Sequence, residues 1–220
     1  MRLTHLGHAC LLVVIDDQQI LIDPGNLAGD LTALTELDAV VTTHQHADHV
    51  DPERFSAIVA ANPRARLFAE PETADLIEQH FDLPVTPERL HEGEDLHVGT
   101  VVIRPIGSRH ARNHDGVRRC GNVGVVLGGD SGPTFYHPGD AYDGEPGRVD
   151  VLAVPLNAPW TAVRDTIDFV RRISPRTAIP IHDGLLTEAG RQAYLGHVAG
   201  FAREGTTVLD LSDGRPSEVS

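Results

Sequence analysis

The run His44-Gln45-His46-Ala47-Asp48-His49 places three imidazoles and a carboxylate within six residues. In extended backbone, residues i and i+2 project to the same side, so His44 and His46 can address one cation together. Asp48 and His49, carried past a turn, can face a second. Nitrogen and oxygen donors of this kind suit zinc, and also iron or manganese. A solvated polar loop is the competing reading for any single histidine. Four candidate ligands at this density argue against it. A two-metal site needs further ligands at the ends of other strands, and three residues stand there: His110, Asp140 and His182.

The elements that must position these residues can be read from the apolar pattern. Leu11–Ile15 and Gln19–Ile22 read as strands on either side of an Asp16-Asp17 turn, the second ending at Asp23-Pro24-Gly25. Ala39–Thr42 is a short apolar strand that delivers the histidine cluster at its C-terminal end. Pro52–Ala61 reads as a helix with Asp51 as its cap, and Pro71–His80 as another, with a short strand at Arg66–Ala69 between them. Leu96–Val98 and Val101–Ile106 flank Gly99-Thr100, a hairpin signal. Val123–Leu127, Thr134–His137, Val151–Pro155, Thr177–Ile181 and Val208–Leu211 read as strands. Ala162–Ile173 and Thr187–Arg203 read as helices. Hairpin blocks alternate with βαβ-like blocks and no linker divides them. The expectation is one α/β domain over residues 1–220, with mixed sheets and helices outside.

His-x-His-x-Asp-His, a lone His, an Asp in a Gly-Asp turn and a late His follow one another in the order of the metallo-β-lactamase superfamily, which this chain resembles. His5-Leu6-Gly7-His8-Ala9, Ile20-Leu21-Ile22-Asp23-Pro24 and Phe135-Tyr136-His137-Pro138-Gly139-Asp140 are similar to one subset of it. That subset holds small bacterial metal-dependent hydrolases and proteins like the ascorbate-phosphate lactonases. The resemblance implies a four-layer αβ/βα sandwich with two mixed β-sheets. It implies two divalent metal ions, with His44, His46 and His110 on one, Asp48, His49 and His182 on the other, and Asp140 bridging. Asp23 would brace the metal loop, although a plain turn aspartate is an equal reading. Two cations about 3.5–4 Å apart lower the pKa of a shared water toward roughly 7. Such a site implies hydrolysis of an ester, lactone or phosphodiester, with Asp48 as the catalytic residue that orients the water and handles its proton.

The loop after His110 carries Arg112, Arg118 and Arg119, whose guanidinium forks suit an anionic group on a small-molecule substrate. Arginines that merely offset an acidic surface are the alternative. Trp160, the only tryptophan, follows the strand Val151–Pro155 and is expected either to wall the pocket or to pack. This segment departs from the subset's usual Met-Gly-Pro element, reading Ala162-Val163-Arg164 instead. His5, His8, His80, His91, His97, His137 and His197 read as structural or exposed. His8 stands out among them for its Gly-His turn, and His137 for its place before the Asp140 turn.

The net charge of −14 repels nucleic acid and anionic lipid, so neither partner is expected. All 18 basic residues are arginine, which excludes lysine Schiff-base chemistry and a P-loop. No apolar run reaches the 18–20 or so residues of a membrane helix. The N-terminal sequence does not read as a signal peptide, so Cys10 and Cys120 are expected as reduced thiols in a cytoplasmic protein. Two other readings stand beside hydrolysis. One is an iron-dependent redox enzyme of the same fold, like the persulfide dioxygenases. The other is a metal-binding protein without catalysis. A secreted β-lactamase, a glyoxalase-II-like thioesterase with an added helical domain and an RNA-processing enzyme with an added arm all fit less well.

Overall fold

The computed structural model describes residues 1–129 and 132–219. Two seven-stranded sheets form its centre. The first contains β1 (Arg2–His5), β2 (Leu11–Ile15), β3 (Gln18–Ile22), β4 (Ala39–Thr42), β5 (Arg66–Ala69), β6 (Glu88–Arg89) and β14 (Ser217–Glu218), in the order β14-β1-β2-β3-β4-β5-β6. The second contains β7 (Leu96–Val98), β8 (Val101–Ile106), β9 (Gly124–Gly128), β10 (Phe135–His137), β11 (Val151–Pro155), β12 (Thr177–Ile181) and β13 (Thr207–Val208), in the order β13-β12-β11-β10-β9-β8-β7. Both are mixed. β3 to β6 and β10 to β13 run parallel, and the hairpin strands pair antiparallel.

The strand period of two sorts the side chains into layers. Ile20, Ile22, Ala39, Val41 and Phe68 from the first sheet pack in one cluster with Ile103, Val125, Leu127, Val151, Ala153 and Ile179 from the second. Their alternates Leu21, Val40 and Leu67 turn outward onto Phe55, Ile58 and Val59 of α1 (Pro52–Ala61) and Ala74 and Ile77 of α2 (Pro71–His80). Leu152, Val154 and Ala178 likewise meet Phe169 and Val170 of α3 (Val163–Ile173) and Leu195 and Val198 of α4 (Glu188–Phe201). The result is an α/β four-layer sandwich, helix–sheet–sheet–helix. Burial on both faces explains why β4 and β11 are unbroken apolar runs. Among the described residues no helix is long and apolar enough to cross a membrane.

Helix starts obey local chemistry. Asp51 caps α1 by accepting the Arg54 N–H, and the Glu70 carboxylate caps α2 by accepting from Glu72 and Thr73. The loops that leave the C-terminal ends of the strands converge on the edge between the sheets, where α/β folds place their sites. Close approach there leaves no room at Gly25. A Cβ on it would lie 1.9 Å from the Asp48 carbonyl oxygen and 2.4 Å from His49 N. The adjoining Asn26 N–H donates to the Ala47 carbonyl at 2.8 Å, locking this turn to the histidine loop. Gly25→Ala should therefore cost about 3 kcal/mol through overpacking against rigid backbone. Denaturant unfolding checks this, and a wild-type midpoint would refute it.

Candidate metal centre

Seven strand-end residues meet at this edge. His44, His46 and Asp48 follow β4, and His49 sits on the turn closed by its N–H to the His46 carbonyl, 2.9 Å. His110 arrives from β8, Asp140 from β10 and His182 from β12. The donor atoms fall into two groups, each within 4.8 Å: His44, His46, His110 and Asp140, and His8, Asp48, His49 and His182. Asp140 lies between them. Its Oδ2 is 3.3 Å from His110 Nε2 and 3.9 Å from His44 Nε2, and its Oδ1 is 3.2 Å from His49 Nε2 and 3.3 Å from His182 Nε2.

The outer nitrogen of each ring decides which inner one is free. His49 Nδ1–H donates to Asp23 Oδ2 at 2.7 Å, His110 Nδ1–H to the Ala111 carbonyl at 2.6 Å and His182 Nδ1–H to the Asn157 carbonyl at 2.7 Å. The Thr43 hydroxyl donates to Asp23 at 2.7 Å and so accepts from His44 Nδ1 at 3.2 Å. In all four rings Nε2 is the nitrogen that points inward. His46 is the reverse: its Nδ1 lies 3.0 Å from His44 Nε2, and its Nε2 faces Cys120 Sγ at 3.8 Å. Both cysteines are free and buried.

His49 Nε2, His110 Nε2, His182 Nε2 and Asp140 Oδ1 are buried and have no hydrogen-bond partner of acceptable geometry. They make up four of the five such side-chain atoms among the described residues. Stranded polar atoms cost about 1–3 kcal/mol each, and four converging lone-pair donors fit divalent cations.

His8 sits among the ligand candidates but is built as a donor. Its Nδ1 accepts the Gly184 N–H at 3.1 Å, so its Nε2 carries the proton and donates to Asp48 Oδ2 at 3.0 Å. A protonated nitrogen has no lone pair for a metal. The Gly-His turn marked this residue in the sequence, but the N–H that its Nδ1 accepts comes from 176 positions away. Asn122 carried no signal at all, yet its Oδ1 holds the Asp140 N–H at 2.8 Å. His137 supports the same turn: it accepts the Gly139 N–H at 3.1 Å and donates to the Ala9 carbonyl at 3.1 Å. Arg191 of α4 donates to Asp183, next to His182, at 2.6 Å and grips Asp210 with two further bonds.

The proposed substrate residues are placed differently from one another. Arg112 and Arg118 are exposed and paired with Asp115 at 2.6 Å and Glu72 at 3.6 Å. Arg119 donates to the His110 carbonyl and faces Asp143 at 3.5 Å. Trp160 is half-buried at the cluster, its ring 6.2 Å from that of His110. Asp23 is wholly buried and binds Thr43 twice as well as His49, so it braces the loop.

A family model for the beta-lactamase superfamily domain matches residues 2–182, and the chain belongs to that superfamily. It is 33% identical over 210 residues to the protein Rv0786c of Mycobacterium tuberculosis, covering 95% of this chain and 96% of that one. It is 28% identical over 200 residues to a UPF0173 metal-dependent hydrolase of Carboxydothermus hydrogenoformans, covering 83% and 84% of the two chains. Among solved structures, the fold is similar to that of Igni18, a metallo hydrolase from Ignicoccus hospitalis. The TM-score is 0.71 at 21% identity, over 100% of this chain and 99% of that one.

Without cations the cluster polarises. Burial pushes His182 down, but the Asp140 and Asp48 carboxylates outweigh it and raise it to about 9. Burial likewise opposes His49, and Asp140 and Asp23 carry it well above the usual histidine value. Burial, reinforced by the neighbouring imidazoles, drives His44 and His46 downward. Desolvation raises Asp140 and Asp48, yet neighbouring imidazoles hold both well below the usual carboxylate range. A raised histidine stabilises the fold fully below its unfolded pKa of about 6.5. That contribution is lost as pH climbs through the folded value. Chelator-treated protein should therefore lose thermal stability between pH 7 and 9.5, and zinc-loaded protein should not, since bound metal has already displaced those protons. A flat profile for the metal-free form would contradict this.

Proposed function

We propose that this metal-dependent hydrolase works with two divalent cations, zinc in preference to manganese or iron, and cleaves an ester, lactone or phosphodiester bond in a small-molecule substrate. The observation that carries the reading is the set of buried, unpartnered donors His49 Nε2, His110 Nε2, His182 Nε2 and Asp140 Oδ1. His44, His46 and His110 would hold one cation, and Asp48, His49 and His182 the other. Asp140 turns one oxygen to each group. When bound, such a pair lowers the pKa of a shared water and polarises the carbonyl or phosphoryl oxygen under attack.

The chain's own groups do the rest. Asp48 is the one acid of the cluster with real solvent access, 26% exposed against 4% for Asp140. His8 fixes its Oδ2, which places the carboxylate to orient a water and handle its proton. Asp23 and the Ala111 and Asn157 carbonyls hold the Nδ1–H of His49, His110 and His182 and so aim each Nε2 inward. An anionic substrate would have to draw Arg112 and Arg118 away from Asp115 and Glu72. The substrate panel must therefore span neutral and anionic compounds.

The test is metal analysis of protein purified without added metal, followed by assays on phosphodiesters, lactones and carboxylic esters with a His46→Ala control. Two zinc per chain and turnover that falls at least 100-fold in the variant are expected. Near-stoichiometric iron with oxygen uptake would favour the redox reading instead. Metal content and turnover unchanged in His46→Ala would remove the site assignment.

A further inference from the structure

Asp140 offers its two oxygens to the two donor groups, and the structure treats them unequally. Oδ1, near His49 and His182, accepts no hydrogen bond. Oδ2, near His110 and His44, accepts the Trp160 indole N–H at 2.8 Å. An indole nitrogen can only donate, so the direction of this bond is unambiguous.

The indole is itself held in place. Its ring meets Tyr142 edge-on, centroids 4.8 Å apart at 74°. Tyr142 stacks on Phe169 of α3 at 4.6 Å, and its hydroxyl donates to the Pro155 carbonyl at 2.6 Å and accepts from the Thr166 hydroxyl at 2.9 Å. A line of contacts thus runs from α3 through Tyr142 and Trp160 to one oxygen of Asp140, whose backbone N–H is pinned separately by Asn122. A wall residue needs only its ring face, and nothing about that role calls for a nitrogen aimed at a buried carboxylate.

We propose that Trp160 is a positioning residue for Asp140. Its N–H sets the carboxylate rotamer that turns Oδ2 toward the His44, His46 and His110 group, and so sets the affinity of that metal position separately from the other. This rests on the two-cation reading above. Losing a hydrogen-bond partner that orients a metal ligand weakens metal affinity about 10- to 100-fold. Here the loss falls on one position, because Oδ1 and the Asp48, His49 and His182 group keep all their other partners.

The chain has a single tryptophan. Growth on β-(3-benzothienyl)alanine therefore replaces only this indole with a ring of nearly the same shape in which sulfur stands for N–H. Zinc titration calorimetry of the chelator-stripped protein is compared with that of the replaced protein and of Trp160→Phe. Cobalt(II) visible absorption serves as a second readout. Wild type should bind two equivalents; a single equivalent would sink the two-cation reading and leave the hydrogen bond untouched. With two equivalents in wild type, both altered proteins should lose about tenfold or more in one step, with the other step within twofold and the metal-free melting temperature preserved. In a His46→Ala background, which lacks a ligand of the affected position, the same replacement should change nothing. Unchanged or tighter binding of both equivalents in the replaced protein overturns the proposal. So does an equal loss at both steps.

Discussion

Buried imidazole nitrogens and a carboxylate oxygen turned on one another without a satisfactory hydrogen bond are the constraint around which this molecule is organised. Three imidazole nitrogens and a carboxylate oxygen lie at the seam of the two sheets with no hydrogen-bond partner. A chain that lost about 1–3 kcal/mol at each of four atoms would give up much of a typical folding free energy. In the metal-free cluster the loss is eased by protons that His49 and His182 retain in the field of Asp140. Divalent cations ease it further, so folding and metal binding are linked through the same atoms.

Everything near the seam serves that convergence. Asp23, wholly buried at the end of β3, ties the Thr43 N–H, the Thr43 hydroxyl and His49 Nδ1 into one knot. It thereby sets the tautomer of His49 directly and that of His44 through Thr43. Gly25 lets the β3 turn lie against the Asp48 and His49 backbone with no atom to spare. On the opposite sheet, Asn122 and His137 hold the turn of Asp140, and Arg191 anchors the segment after His182. The candidate ligands are aimed from two sheets, and the interleaved core between those sheets fixes how far apart they stand.

Most of this scaffold could be read from the chain. β4 and β11 are apolar runs because both faces are covered, α1 begins where Asp51-Pro52 announces it, and α2 begins at Pro71 as expected. The two-residue strands β6 and β14 could not be read, and neither could β1, whose Arg2-Leu3-Thr4-His5 has a single apolar residue. Two residues have no period, and β14 exists only by pairing with β1 across almost the whole chain. The histidine motif was legible as chemistry from local density. The grouping of His110, Asp140 and His182 with it came from the order shared with the superfamily, since no local pattern encodes contacts across 130 residues. His8 and Trp160 show what spacing leaves out. A Gly-His turn does not say that Gly184 will fix its tautomer, and a tryptophan expected to wall a pocket or to pack does not say that its N–H will reach Asp140. In both cases the sequence shows the residue, and the partner that defines its role is brought there only by the fold.

The central claim is that these donors hold two cations, with His8 outside the coordination shells. Anomalous diffraction from crystals of the zinc-loaded protein tests it most directly. The account predicts two peaks per chain, one among His44, His46 and His110 and one among Asp48, His49 and His182. Asp140 should lie between them, and His8 Nε2 should remain on Asp48. A single peak, or a peak within bonding distance of His8, would contradict it.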